Sequence, residues 1–144
     1  MKSKIRLFLL LVIVVSCKTY TISPENFKTQ LSRGENNQKQ EVEINNPLYF
    51  GNLKYQANSI DILEVTNKKG EKVIISKTAS LEMKVEHKNG KKYLFYFDTV
   101  IIENDTLKGS RSRFAPKLSR SIPFDSIISI KIQEGGKRFD YQKK

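Results

Sequence analysis

Leu81-Glu82-Met83-Lys84-Val85-Glu86-His87-Lys88-Asn89-Gly90-Lys91-Lys92-Tyr93-Leu94-Phe95-Tyr96-Phe97 is the stretch from which the fold can be read. Leu81, Met83 and Val85 alternate with Glu82, Lys84 and Glu86, a period of two that gives a strand one dry and one wet face. Tyr93, Phe95 and Phe97 keep that period, and because Leu94 and Tyr96 are apolar too, the second run reads as a central strand. Asn89-Gly90 between the runs is the strongest short-range hairpin signal in the chain. A two-residue type I′ turn needs positive φ at both central positions, which Asn and Gly tolerate. Lys88, Asn89 and Gly90 should form an exposed tip.

Twenty residues upstream, Val65-Thr66-Asn67-Lys68-Lys69-Gly70-Glu71-Lys72-Val73 lines up with Val85-Glu86-His87-Lys88-Asn89-Gly90-Lys91-Lys92-Tyr93, which predicts a second hairpin. Two units are too few for a solenoid, and a meander produces such a likeness on its own. Val100 to Glu103, Asn104-Asp105 and Thr106 to Lys108 read as a third hairpin. Ser121 to Phe124 and Ile127 to Ile132 read as closing strands, with Ile128, Ile130 and Ile132 on one face. Since no long helical pattern follows residue 34, the expected fold is mainly β. An antiparallel meander forms a small barrel or sandwich over residues 48–135, with a basic tail at 136–144.

One short helix precedes it. Ser23 is placed to cap, Pro24 sits at the first helical position and Glu25 lies near the positive end of the dipole, while Gly34 marks the end. Ile22 and Phe27 have the spacing of a hydrophobic staple, and Phe27 and Leu31 share a face. About ten residues make a marginal helix in isolation, so this one must dock on the main domain. Glu35 to Pro47 is polar and reads as an extended arm within a 17–47 anchor-and-linker region. The alternative is an edge strand through Gln40 to Ile44 with Val42 and Ile44 on one side.

At the N-terminus, Lys2, Lys4 and Arg6 precede an unbroken apolar run, Leu7 to Val15, ending in Val14-Val15-Ser16-Cys17. A basic head, a short apolar core and a small residue at the cut describe a secretory signal over residues 1–16; nine apolar residues at about 1.5 Å each fall well short of a hydrocarbon core about 30 Å thick. The stretch resembles the lipobox of bacterial lipoproteins. That resemblance implies acylation of Cys17, which becomes the first residue and holds the protein to a lipid bilayer. Two or more acyl chains anchor stably where one does not. Cys17 is the only cysteine, so no intramolecular disulfide can form. Removing residues 1–16 takes the formal charge from +11 to +8. Such a balance favours anionic partners, and export argues against nucleic acid.

Chemistry-bearing residues are few. His87 is the only histidine and sits beside the hairpin tip; no nucleophile elbow accompanies it, and no zinc or calcium spacing is present. Neither a cofactor, a metal nor a catalytic role is expected. The paired acids Glu41 and Glu43 fit a solvent face. The local charge anomaly is Lys108-Gly109-Ser110-Arg111-Ser112-Arg113-Phe114-Ala115-Pro116-Lys117-Leu118-Ser119-Arg120-Ser121, five cations and no acid between Asp105 and Asp125 in a stretch that reads as a loop. Lys108, Arg111, Arg113, Lys117 and Arg120 are the candidates for gripping an anionic glycolipid or an envelope protein, because guanidinium forks and serine hydroxyls suit phosphate and carboxylate.

Lys88-Asn89-Gly90-Lys91-Lys92-Tyr93, Glu103-Asn104-Asp105-Thr106-Leu107-Lys108-Gly109 and Ile122-Pro123-Phe124-Asp125-Ser126-Ile127-Ile128-Ser129-Ile130 together resemble a small β module of uncharacterised lipoproteins of the Bacteroidetes, over about a third of the chain. No activity comes with it. Asp98-Thr99-Val100, Asp105-Thr106-Leu107 and Asp125-Ser126-Ile127 resemble the O-glycosylation triplet of exported proteins of that group, implying Thr99, Thr106 and Ser126 as acceptors; Asp before Ser or Thr is also ordinary turn chemistry. Lys18-Thr19-Tyr20 lacks the acidic run that resembles a surface-export signal, which places the expected protein at the outer membrane facing the periplasm. The reading is a lipid-anchored envelope protein of binding or structural type. Its rivals are an adaptor or inhibitor using a sheet edge and the basic loop, and a glycan or cell-wall hydrolase needing convergent carboxylates.

Overall fold

The computed structural model describes residues 18–46 and 51–143; the expected signal segment, Cys17 and the start of the expected β domain at residue 48 lie outside them. Eleven strands and one α-helix follow in the order β1 (Thr19–Ile22), α1 (Pro24–Leu31), β2 (Lys39–Asn45), β3 (Asn52–Asn58), β4 (Ile62–Thr66), β5 (Lys72–Ser76), β6 (Leu81–His87), β7 (Lys92–Tyr96), β8 (Ile101–Glu103), β9 (Thr106–Ser110), β10 (Ser119–Pro123) and β11 (Ile127–Glu134). Every pairing is antiparallel, in a six-stranded sheet β5-β4-β1-β11-β6-β7, a three-stranded sheet β10-β9-β8 and the ribbon β2-β3. The described residues are mainly β and sandwich-like, and among them no barrel closes.

The alternation in β6 does what its pattern demands. Leu81, Met83 and Val85 are buried, and together with Phe95, Ile130 and Ile132 they form the centre of the main core. α1 closes that core: Ser23 Oγ accepts from the amide of Asn26, and Phe27 and Leu31 are fully buried, Phe27 edge-on to Phe97. The helix stops at Leu31, ahead of Gly34.

Both hairpins of the sequence repeat form, and they share one turn geometry. His87 pairs with Lys91 and accepts from the amide of Gly90, and Asn67 pairs with Glu71 and accepts from the amide of Gly70. Gly90 (φ 82°) and Gly70 (φ 84°) take the left-handed position; Asn89 does not. Each is therefore a type I turn with a glycine bulge, not the type I′ turn expected at Asn89-Gly90. The type I′ turn is instead Asn104-Asp105, where φ is 49° and 59°. The hairpins are not neighbours: β1 and β11 lie between them in the sheet.

Four further expectations change. β7 lies at the sheet's edge, and its second apolar face is covered by other means, Tyr96 meeting Phe139 edge-on at 5.8 Å and the Arg113 guanidinium at 4.0 Å. A bulge between Ile127 and Ser129 turns Ile128 outward to 53% exposure while Ile130 and Ile132 stay buried. The arm at 35–47 is not a plain linker but contains β2, the strand that the alternative reading placed at Gln40 to Ile44, paired with β3 along its whole length. The expected tail at 136–144 packs on the body: Phe139 is buried with Ile44 and Ala79, and Tyr141 bridges to Ile44. Linker and tail thus belong to the folded body.

The expected loop at 108–121 is a loop only at its middle: residues 111–118 connect β9 to β10, while both ends are strand, in register with Arg120 opposite Gly109. Gly109 has a packing reason. A Cβ there would stand 2.8 Å from Cδ1 of Phe95 and 3.0 Å from Cγ2 of Val100, both of them fully buried and without room to move. Gly109→Ala should cost about 1–3 kcal/mol as overpacking, read from the denaturant midpoint at unchanged slope; an unchanged midpoint would refute this account of the β7–β9 approach.

Candidate anion-binding cleft

The five predicted cations separate: Lys108 and Arg120 lie on β9 and β10, while Arg111, Arg113 and Lys117 lie on the connection between them. Along β10, Ser119 and Ser121 face one way and Arg120 the other, so Arg120 reaches over Tyr93, 5.8 Å from its ring centroid. There it joins Arg111, from the connection leaving β9, and Lys91 and Lys92, from the start of β7. These four line a concavity of about 360 Å³ with Tyr93 and Leu94. All four cations are exposed, and among the described residues none has a carboxylate within 4.0 Å. No acidic residue lines the cleft. Glu86, the cross-strand neighbour of Lys92, accepts instead from Ser129 Oγ at 3.3 Å. Lys92 also borders the outer sheet face with Lys84 and Lys131, which extends the positive surface beyond the cleft.

The other predicted residues go elsewhere. Lys117 is exposed on a short 3₁₀ turn outside the cleft lining. Lys108 pairs with Glu103 and holds that carboxyl below the usual range by its hydrogen bond. It borders a larger cavity, about 510 Å³, together with Lys54, which itself faces Glu43 at 4.0 Å. Lys39 lines it too, and Glu103, the acid paired with Lys108, is part of the same lining, so unlike the smaller cleft this cavity contains a carboxylate.

Arg113 is a correction: its side chain is 1% exposed, so it grips no outer surface. Its Nη2 donates to Asp98 Oδ1 at 2.9 Å and to the carbonyl of Ala79. Asp98, fully buried, accepts on Oδ2 from the hydroxyls of Tyr55 and, at 2.7 Å, Tyr141. Arg113 Nε and Nη1 have no hydrogen-bond acceptor, and the guanidinium is enclosed by Tyr96, Phe139 at 5.0 Å and Tyr55 at 5.2 Å. Ring faces thus stand where oxygens otherwise would. The cluster ties β3, the turn after β7, the β9–β10 connection and the C-terminal segment together. Burial, followed by the Asp98 charge, pushes the phenols of Tyr55 and Tyr141 well above their usual range. Lys77, hydrogen-bonded to the Asn58 carbonyl at 2.6 Å, is pushed down by burial.

The aspartate triplets sit in turns. Phe97-Asp98-Thr99 and Phe124-Asp125-Ser126 are matching 3₁₀ turns closed by amide bonds from Val100 and Ile127. Thr99 Oγ1 donates to the Tyr96 carbonyl at 2.7 Å and accepts from the Ser110 amide at 2.9 Å, so its hydroxyl is committed. The hydroxyls of Thr106 and Ser126 donate locally, to the Asn104 carbonyl and to Asp125 Oδ1. His87 Nδ1 accepts from the Asn89 amide and serves the turn.

Lys91 and Lys92 were the cleft residues missed in the sequence. They stood in the quoted hairpin as tip lysines, and only the placement of β7 beside β9 and β10 brings them to Arg111 and Arg120. No family model matches the chain, and neither a curated protein nor a solved structure matches it.

Proposed function

We propose that the protein is a non-catalytic binding module held at the cell envelope by lipid on Cys17, at the outer membrane and facing the periplasm, whose cleft takes an anionic group of an envelope partner. One observation carries the binding reading: Lys91, Lys92, Arg111 and Arg120 share one concavity with no carboxylate among them. Four exposed like charges gathered without acids raise each other's energy, and an incoming anion relieves that repulsion. The lining offers guanidinium forks for bidentate contact and a tyrosine ring beneath one of them, but no acid–base pair for hydrolysis. The lipid anchor is supported by the sequence at Leu7 to Cys17. Among the described residues, no helix is long and apolar enough to cross a membrane.

The adaptor reading has its own support, since β7 is the outermost strand of the six-stranded sheet and the cleft lies along it. An acidic segment of another envelope protein would use the same cations. The test is titration of the mature protein with a phosphorylated oligosaccharide released from envelope glycolipid. Replacing Lys91, Lys92, Arg111 and Arg120 by Gln should weaken binding by about two orders of magnitude or more, at roughly a factor of five per basic residue, and added salt should weaken the parent. Equal binding by a variant with an unaltered unfolding midpoint would sink the proposal. Absence of binding by the parent, together with a stoichiometric protein crosslinked at position 111 in intact cells, would select the adaptor reading.

A further inference from the structure

Where a strand of this body lacks a neighbour, a side chain covers its free backbone or a charge guards it. Ile102 on β8 gives its amide to Asn37 Oδ1 at 2.7 Å and takes Asn37 Nδ2 on its carbonyl at 2.6 Å; Gln30 serves Glu64 on β4 in the same way. The edge strands β7 and β10 carry Lys92 and Arg120, charges that keep foreign strands away. β5, the other margin of the six-stranded sheet, has neither device. Bonds from the Lys77 amide to Asp61 and from the Asn67 amide to Glu71 fix the parity of the β4–β5 ladder. Val73 and Ile75 therefore bond to β4, while the N–H and C=O groups of Lys72, Ile74 and Ser76 point away from it. Among the described residues these outward groups have no partner. β5 contains no proline and no register shift, and its one charge, Lys72, already faces Glu64 at 3.2 Å. Ile74 is 68% exposed, above every other large apolar side chain among the described residues.

We propose that β5 pairs antiparallel with β5 of a second copy about a two-fold axis at Ile74, joining two six-stranded sheets into one. Ile74 then stands opposite its counterpart in a hydrogen-bonded pair, and Lys72 opposite Ser76 of the second copy, so every outward group of the strand finds a partner. The side chains match row by row. On the core side, Ile75 meets Val73 of the second copy; both are half-buried against the core, and pairing makes one apolar row of Leu63, Ile75, Val73 and Val65 across the axis. On the outer face the two Ile74 side chains lie together, and Lys72 faces a hydroxyl instead of its twin. Just beyond the strand, the same register sets Glu71, which among the described residues has no lysine or arginine within 4.0 Å, opposite Lys77. Sliding one copy by two residues would carry Lys72 or Ser76 past the end of the facing strand. Two such short edges bury less than the roughly 1,000 Å² of a persistent dimer, so the pair forms at high local concentration. β7 and its cleft lie at the opposite margin of each sheet and stay open. The axis stands perpendicular to the sheet, so the two β1 starts lie at its opposite ends, and lipid on both Cys17 positions reaches one bilayer when the sheet lies along it. The pairing itself does not rest on the anchor.

The experiment is disulfide trapping in the full mature chain, purified from its own host and concentrated in detergent. It is read as linked peptides by mass, which tells these links from any through Cys17. Under mild oxidation Ile74→Cys should link to itself, since paired Cα atoms stand about 5.5 Å apart. Lys72→Cys mixed with Ser76→Cys should give the 72–76 link at least about tenfold over 72–72 and 76–76, whose Cα atoms lie four strand steps, about 13 Å, apart along the sheet. Adding Ile74→Pro to both chains removes the bonds at the axis and none to β4, and should lower the 72–76 yield about tenfold. Ile74→Lys, at an exposed side chain, should lower it too by setting like charges together. No link at 74, or 72–72 and 76–76 links as frequent as 72–76, would overturn the pairing. So would a 72–76 yield unmoved by either substitution at 74, or a different protein linked at position 74 in place of a second copy.

Discussion

Asp98→Ala unfolds with about 3–5 kcal/mol less free energy than the parent, the loss expected when one partner of a buried ion pair is removed and the other stays behind. Three donors converge on that carboxylate: Arg113 Nη2 and the hydroxyls of Tyr55 and Tyr141. Without it, a guanidinium with a 1% exposed side chain keeps only the Ala79 carbonyl and three aromatic rings, and two phenols lose their acceptor. The loss is a large part of the roughly 5–15 kcal/mol that holds a domain of this size. Urea unfolding by tyrosine fluorescence reads it directly. Combining Asp98→Leu with Arg113→Met should recover part of the loss, because removing both charges also removes their desolvation cost, while the Tyr55 and Tyr141 hydroxyls still lack their acceptor. A double variant no better than Asp98→Ala would show that the charge left unpaired is not what matters.

The second large effect is alkaline. Tyr55 and Tyr141 hold their protons in the folded chain above the usual phenol value, mainly through burial and then through the Asp98 charge, whereas the unfolded chain releases them near pH 10. Above that pH the folded state binds more protons than the unfolded one. Stability is therefore complete below about pH 10 and falls as pH rises toward the folded values, by up to about 2.7 kcal/mol per pH unit for the two phenols together. Lys77 acts in the opposite sense. Its folded value is depressed by burial, so between that value and about 10.4 the unfolded chain holds the extra proton and stability rises with pH. Tyr96, raised by burial as well, acts in the same sense as Tyr55 and Tyr141, so one lysine against three phenols leaves the fall dominant beyond pH 10. Unfolding free energies between pH 8 and 11 should show it, and Tyr55→Phe with Tyr141→Phe should flatten the slope even though each loses a hydrogen bond at neutral pH. A slope unchanged by the two substitutions would contradict the assignment.

What was legible in the sequence was whatever short-range periodicity encodes. The alternation of β6, the capped helix at Ser23, the three hairpins and the closing strands are all properties of a few consecutive residues, and the structure has them. Turn type was misassigned between Asn89-Gly90 and Asn104-Asp105, because loop length also depends on where the flanking strands stop pairing. β7 read as central because pattern registers that both faces are apolar without saying what covers them; here the cover is Phe139 and Arg113, from segments 43 and 17 residues away from Tyr96. The cationic stretch drew attention to Arg111 and Arg120, but Lys108 on β9 pairs with Glu103 and Arg113, in the β9–β10 connection, turns inward to Asp98. Lys91 and Lys92 could not have been added, since their nearness to Arg111 and Arg120 is tertiary.

Placing β1 beside β11 joins the beginning of the body to its end, Thr19 opposite Gln133. High contact order of this kind makes for slow folding, since loop closure over more than a hundred residues must precede any reward. Until β11 has emerged, β1 has only the single pairing of Thr21 with Thr66 on its other side, and the two flanking hairpins have no ribbon to join. A chain built this way stays threadable for as long as its last strand is unmade, and any product truncated ahead of residue 127 has no route to the native sheet.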